Sequence, residues 1–240
     1  MSFYKDPFVM EVVDFVINYQ ADALQVRNEL PMPRDLFVEQ KMSVLQQSFI
    51  EEEKKTVLSL EKAVSLLQQE LAFLSIEEKT TYEEELLLAN DSIQKNFEKE
   101  DLQKAGSWQK ILGFSAKMLL WIYQLGSRYL EEKKYEEAYD LFFFLTLLNA
   151  SHANFFVALG LAQKGLLLNS QALASFFMAS LLDAEHLVAR YQIASLYVQF
   201  GALEAALVEL QELYKLLEEK NLGSLKAPVE ELLALVKNNL

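Results

Sequence analysis

The stretch "YEEAYDLFFFLTLLNASHANFFVALGLAQKGLLLNSQALASFFMASLL", residues 135–182, carries two nearly all-apolar runs, at 141–148 and 172–182, the first with phenylalanines at 142, 143 and 144. A helix at a protein surface keeps one face for water, so apolar residues all round imply burial on every side. Both runs fall far short of the ~20 apolar residues that cross a bilayer, so they read as buried helices. Sliding the stretch against its flanks returns a single period, 34 residues. Ala138, Ala172 and Ala206 share that spacing, as do Phe142, Phe176 and Leu210. So do Leu125, Leu159 and Ile193, and so do Gly126, Gly160 and Ala194.

A 34-residue helix–turn–helix period with small residues at two fixed places and a large apolar one between is the tetratricopeptide pattern. The expected fold is all-α: three tetratricopeptide repeats in an α-solenoid, at about 119–152, 153–186 and 187–220, preceded by an N-terminal helical bundle or hairpin. The repeats fall in a domain at 104–240 that ends in a capping helix. The small residues let paired helices approach, and the Phe or Leu fills the space beside them. The usual proline near each repeat's end is replaced by Ala150, Ala184 and Glu218, and the usual tryptophan by Ile122, Phe156 and Arg190. Counting about 100° per residue places Phe144 and Leu147 on the outer, convex face, with Met178 and Leu181 one repeat later. The third repeat has Glu212 and Lys215 there. The outer face of the first two repeats therefore needs a cover, expected from helices of residues 1–100 within one chain or exchanged with a second copy.

Residues 1–103 read as a separate helical region. Phe8, Val9, Val12, Val13, Val16 and Ile17 form a stripe at helical spacing that "LPMPRD" ends at 30–35. A second helix runs from about Asp35 into "EEEKK" at 51–55. Val57, Leu60, Val64, Leu67, Leu71 and Leu74 alternate three and four apart, the seam of a coiled coil or helical hairpin. Ser75 with Glu78 forms a capping box, opening a helix striped by Tyr82, Leu86, Ala89, Ile93 and Phe97. The plainest arrangement lets these seams satisfy one another; the sharper one leaves a seam for the outer face or for a second copy. "EKEDLQKAGSW", 98–108, is the expected boundary.

Composition narrows the function. At 52% apolar the 240 residues bury a real core, and 7 Gly with 4 Pro point to long helices with few sharp turns. A net charge of −13 disfavours nucleic acid and anionic membranes, and favours a basic, apolar or aggregation-prone protein partner. With no cysteine there is neither disulfide nor thiolate metal site, which fits a reducing compartment. Asp6, Glu11 and Asp14 interrupt any secretion-signal core, and no run suggests a membrane span. His152 and His186 lie 34 apart at repeat junctions, as structural equivalents rather than a metal pair, with Asp183 and Glu185 as ordinary loop-tip acids. Neither a phosphate loop, nor a nucleophile elbow, nor a Cys–His pair is present. No enzyme activity, cofactor or metal is expected.

In such arrays the first helices line a concave groove, mainly at repeat positions 2, 5, 9, 12 and 13. Here those are Leu120, Tyr123, Ser127, Leu130 and Glu131; Asn154, Val157, Leu161, Lys164 and Gly165; and Val188, Tyr191, Ser195, Val198 and Gln199. One Lys and one Asn do not suit the grip on a charged chain terminus. Apolar and aromatic residues suit an extended segment with apolar anchors. The plainer alternative is that any one of them merely fills space between helices.

The residues "LLWIYQLGSRYLEEKKYEEAYDLFFFLTLLNASHANFFVALGLAQKGL" and "ASFFMASLLDAEHLVARYQIASLYVQFGALEAALVEL" resemble the class II chaperones of bacterial type III secretion, over about 111–220. Tyr123, "KYEEA" at 134–138, "LG" at 159–160, "ASLLDAEH" at 179–186 and "GALEAA" at 201–206 carry the resemblance. It implies a cytoplasmic bacterial protein that holds a secreted effector or translocator before export, the client's apolar and proline anchors lying on Tyr123, Val157, Leu161 and Tyr191. A homodimer is a further partner the resemblance allows. Family members have a short N-terminal arm, and the hundred residues here depart from that. The alternative is a non-enzymatic tetratricopeptide adaptor or a structural component of a secretion assembly.

Overall fold

The computed structural model describes residues 58–59, 61–96 and 108–240. The expected helices near 8–17 and 35–55, Val57, Leu60, Phe97, the side chain of Ile93 and most of the expected boundary lie outside the described residues. Contacts divide the chain into 1–61 and 62–240; residues 62–96 thus share a unit with the repeats, which is the one described below. Among the described residues there are helices and no strands.

In chain order the helices are α1 (61–71), α2 (Ile76–Asn96), α3 (Trp108–Leu112), α4 (Ala116–Glu131), α5 (Tyr135–Leu148), α6 (Ala153–Gly165), α7 (Asn169–Leu182), α8 (Leu187–Gln199), α9 (Leu203–Glu219) and α10 (Lys226–Asn239). α4–α5, α6–α7 and α8–α9 are three successive helix pairs at the 34-residue spacing. Glycine sets the closeness of the first two pairs. A Cβ on Gly126 would lie 2.8 Å from the Phe142 ring, and one on Gly160 2.6 Å from the Phe176 ring. In the third pair a buried Ala194 goes with Leu210: the smaller partner leaves room for a methyl group.

The turns within the pairs repeat as well. Lys133 (φ 60°), Leu167 (φ 62°) and Gly201 (φ 75°) are left-handed and 34 apart. After each, the next N–H closes a Schellman motif onto the helix: Lys134 to the Tyr129 carbonyl, Leu168 to Gln163 and Ala202 to Tyr197, each at 2.9 Å. Only at Gly201 is the residue free of Cβ strain.

The three phenylalanines of α5 meet three different neighbours. Phe142 fills the notch above Gly126 and tilts against Tyr123 at 5.7 Å. Phe143 stacks on Tyr139 at 5.8 Å. Phe144, expected on an outer face covered from residues 1–100, is covered by Phe114, which meets it edge-on at 6.1 Å. The aromatic cover arrives from the turn between α3 and α4 because Gln109 ties that turn to the end of α5. Its amide donates to the Phe114 carbonyl at 3.2 Å, and its oxygen accepts from Asn149 at 2.9 Å. Leu147 is half-buried, whereas Met178 and Leu181 are 42% and 78% exposed.

The ends of the helix-pair stack are closed by other helices. Ala63, Leu67 and Leu71 of α1 are buried. Ser75 caps α2, its oxygen accepting from the Glu78 N–H at 3.4 Å while its hydroxyl donates to the Glu78 carboxylate at 2.6 Å. α2 lays Tyr82 on Trp121 of α4, with rings 4.9 Å apart and 12° from parallel. Glu85 accepts from the Ser115 N–H at 2.9 Å. From the end of α1, Glu70 accepts from Arg128 at 2.6 Å and from the Tyr129 hydroxyl at 2.7 Å. At the other end, Val229 and Val236 of α10 are buried in a cluster with Leu210, Leu213 and Leu217 of α9.

Candidate functional site

The residues expected to line the groove all lie on α4, α6 and α8, the first helix of each pair. Leu120 and Val188 are 55% and 45% exposed. Tyr123, Ser127, Leu161, Lys164, Tyr191 and Ser195 are half-buried. Tyr123 is wedged between Phe142 and Phe155, its ring 5.9 Å from the latter, and burial pushes its hydroxyl above the usual tyrosine range. The Ser127 hydroxyl donates back to the Tyr123 carbonyl at 2.8 Å, so it offers a partner less than its position suggests.

Two expected groove residues are used inside the fold. Val157 is 7% exposed and packs with Ala172, Phe176 and Ile193, so it is not available on the groove surface. Asn154 is exposed, but its side-chain oxygen lies 2.8 Å from His186 Nε2. His186 Nδ1 accepts from the Ala189 N–H at 3.3 Å, so Nε2 carries the proton and donates to Asn154. His186 is thus the N-cap of α8 and a link to the start of α6; the equivalent His152 rests on Phe155, rings 4.9 Å apart. No metal-binding group of His, Cys, Asp and Glu occurs among the described residues.

Between α4, α5 and α6 a cleft of about 330 Å³ is lined by Leu130, Tyr135, Leu161, Lys164 and Gly165. Tyr135, which the groove positions do not include, lies on Gly165 so closely that no Cβ would fit. The glycine, late in a helix where it costs stability, was the sequence signal that could have found it. Lys164 reaches across to α8, where Nζ donates to Gln192 Oε1 at 2.8 Å. Burial pulls its ammonium below the usual lysine range. The lining holds one amine and otherwise apolar or aromatic surface, which suits holding a side chain rather than reacting with one.

Arg190, in the place of the usual tryptophan, bridges instead of stacking. It donates to the Ala184 carbonyl at 2.6 Å and pairs with Glu209 and Glu212 at 3.2 and 2.9 Å.

No protein-family model and no curated sequence matches the chain. Solved structures do. A type III secretion complex from Aeromonas hydrophila is 26% identical with a TM-score of 0.54, covering 58% of this chain and 93% of that one. PcrH, from Pseudomonas aeruginosa, in complex with the chaperone-binding region of PopD is 26% identical with a TM-score of 0.51, covering 53% and 96%. The Yersinia enterocolitica chaperone SycD with a peptide of the translocator YopD, at 24% identity and a TM-score of 0.50, supports the fold alone. The chain therefore resembles tetratricopeptide-type translocator chaperones of type III secretion over roughly half its length, and nearly the whole of each such protein is matched. No helix among the described residues is long and apolar enough to cross a membrane.

Proposed function

We propose that this chain is a chaperone of a type III secretion system, holding an extended apolar segment of a translocator-like protein on the α4–α6–α8 face before export from the bacterial cytoplasm. The observation that carries it is the half-buried, mainly apolar groove with its cleft, on a fold like that of PcrH and SycD, whose solved complexes hold translocator segments. Leu120, Tyr123, Leu161, Val188 and Tyr191 supply the contact surface. Burying a client's amphipathic segment there keeps it from self-association.

Replacing Tyr123 and Tyr191 together with Glu tests this. Co-expressed with translocator-like proteins from the same genome, the wild type should co-purify with one of them and keep it soluble. The double variant, with unchanged helical content, should not. Retained binding by the variant removes the groove from the proposal.

A second proposal, a fixed adaptor of a secretion assembly, draws on what the solved chaperones lack. Each is covered almost completely, while a large part of this chain has no counterpart in them.

A further inference from the structure

Lys164 stands apart in this acidic chain. It is the one cation at the groove positions, half-buried beside Leu161 and facing the apolar cleft. An ammonium has three N–H donors. Among the described residues Lys164 makes one hydrogen bond, to the neutral Gln192, and no ion pair. Taking a cation partly out of water without a counter-charge is unfavourable, and no carboxylate among the described residues pairs with it. Lysines elsewhere in the repeats are differently placed: Lys134 pairs with Glu132 and Lys220 with Glu185 on open surface. Glu131 is the one acid at the groove positions, and Lys164 makes no ion pair with it.

We propose that Lys164 binds an aspartate or glutamate side chain within the client segment, close in sequence to the apolar residue seated in the cleft against Leu130, Tyr135 and Leu161. This rests on the chaperone proposal and adds to it a charge requirement in the client. The partner is an internal acid rather than a chain terminus, because a terminal carboxylate is held by several converging donors and this groove offers a single ammonium. The −13 net charge repels acidic segments in general. Lys164 therefore also sets register: an acid is tolerated at one place and disfavoured along the rest of the groove.

Random 12-residue peptides displayed on phage, fused through their C-termini so that no terminal carboxylate is present, should be selected on the full-length protein. Wild-type binders should combine apolar residues with an Asp or Glu at a fixed offset from one of them, and Lys164→Met should remove that acid from the consensus. For a synthetic binder, Asp→Asn or Glu→Gln should weaken affinity roughly tenfold or more. The amide peptide should bind wild type and Lys164→Met alike, and a failure of that variant to fold leaves the wild-type peptide comparison to decide. Binders that require Tyr123 and Tyr191 yet show no acid, or lose less than about twofold on acid-to-amide exchange, overturn the role of Lys164 alone. Recovery of no peptide, or of peptides indifferent to the Tyr123→Glu and Tyr191→Glu changes, overturns the chaperone groove itself.

Discussion

Gly160 and Phe176 show how one atom governs the helix pairs. A methyl group at Gly160 would sit 2.6 Å from the Phe176 ring, well inside van der Waals contact. Gly160→Ala should therefore cost about 1–3 kcal/mol. The third pair, which carries Ala194 with Leu210, shows the compensating change: adding Phe176→Leu should recover part of that loss. Urea melts of the two single variants and the double variant read this as a coupling energy, and additive losses would refute the pairing. Leu167 offers the opposite case. It holds φ at 62° with its side chain 82% exposed, so it strains the backbone while burying little. Leu167→Gly should raise stability by about 0.5–1 kcal/mol, and Gly201→Ala, at the equivalent turn, should lower it. A lower urea midpoint for Leu167→Gly would mean that the leucine makes a contact worth more than its strain.

At the scale of elements, Glu70 is the polar link from α1 to α4. Burial pushes its carboxyl up, but the hydrogen bonds from Arg128 and Tyr129, with the Arg128 charge, outweigh this and hold it below the ordinary value of 4.5. The same contact, with burial leading, pushes the Tyr129 hydroxyl up to about 12. A carboxyl lowered on folding contributes stability above its unfolded value and loses it as pH falls through the folded one. Acidification below about 4.5 should thus loosen α1 from α4, and Glu70→Gln should flatten the response in that window. Arg128 is half-exposed, so the link is worth on the order of 1 kcal/mol or less. Hydrogen exchange across residues 62–89 measures it; equal acid sensitivity in the variant would assign the loosening to other groups.

For the 62–240 unit as a whole, α1 and α2 occupy the side of α4 where a preceding repeat would stack, while α10 closes the far end on α9. Stacked repeats need such ends because an uncapped helix pair leaves an apolar face in water. A chain beginning at Lys104 keeps Phe114 over Phe144 but uncovers Trp121 and Tyr129. It should bind a hydrophobic dye and associate, whereas the full chain should do neither to the same degree. A soluble, dye-silent, monomeric fragment would show that α4 needs no cover. Met178 and Leu181 stay exposed with α1 and α2 in place, so they contribute equally to dye binding in both chains.

The 34-residue period, the helix pairs, the small-against-large positions and the capping box at Ser75 were all legible in the amino-acid order, because each depends on spacing along one helix or between two joined by a short turn. The groove was legible only as a set of positions. Spacing places Val157 on the inner side of α6, but how closely α7 and α8 approach decides that it lies in the core with Phe176. Spacing places Phe144 on the outer side of α5, but Phe114 covers it only because Gln109 fixes the preceding turn to Asn149. The same holds for Asn154, taken by His186, and for Lys164, which meets the neutral Gln192 because α8 brings that residue near. A helix's own sequence determines which way a side chain leaves its axis; what meets it there is decided by residues remote in sequence, and only tertiary packing brings them together.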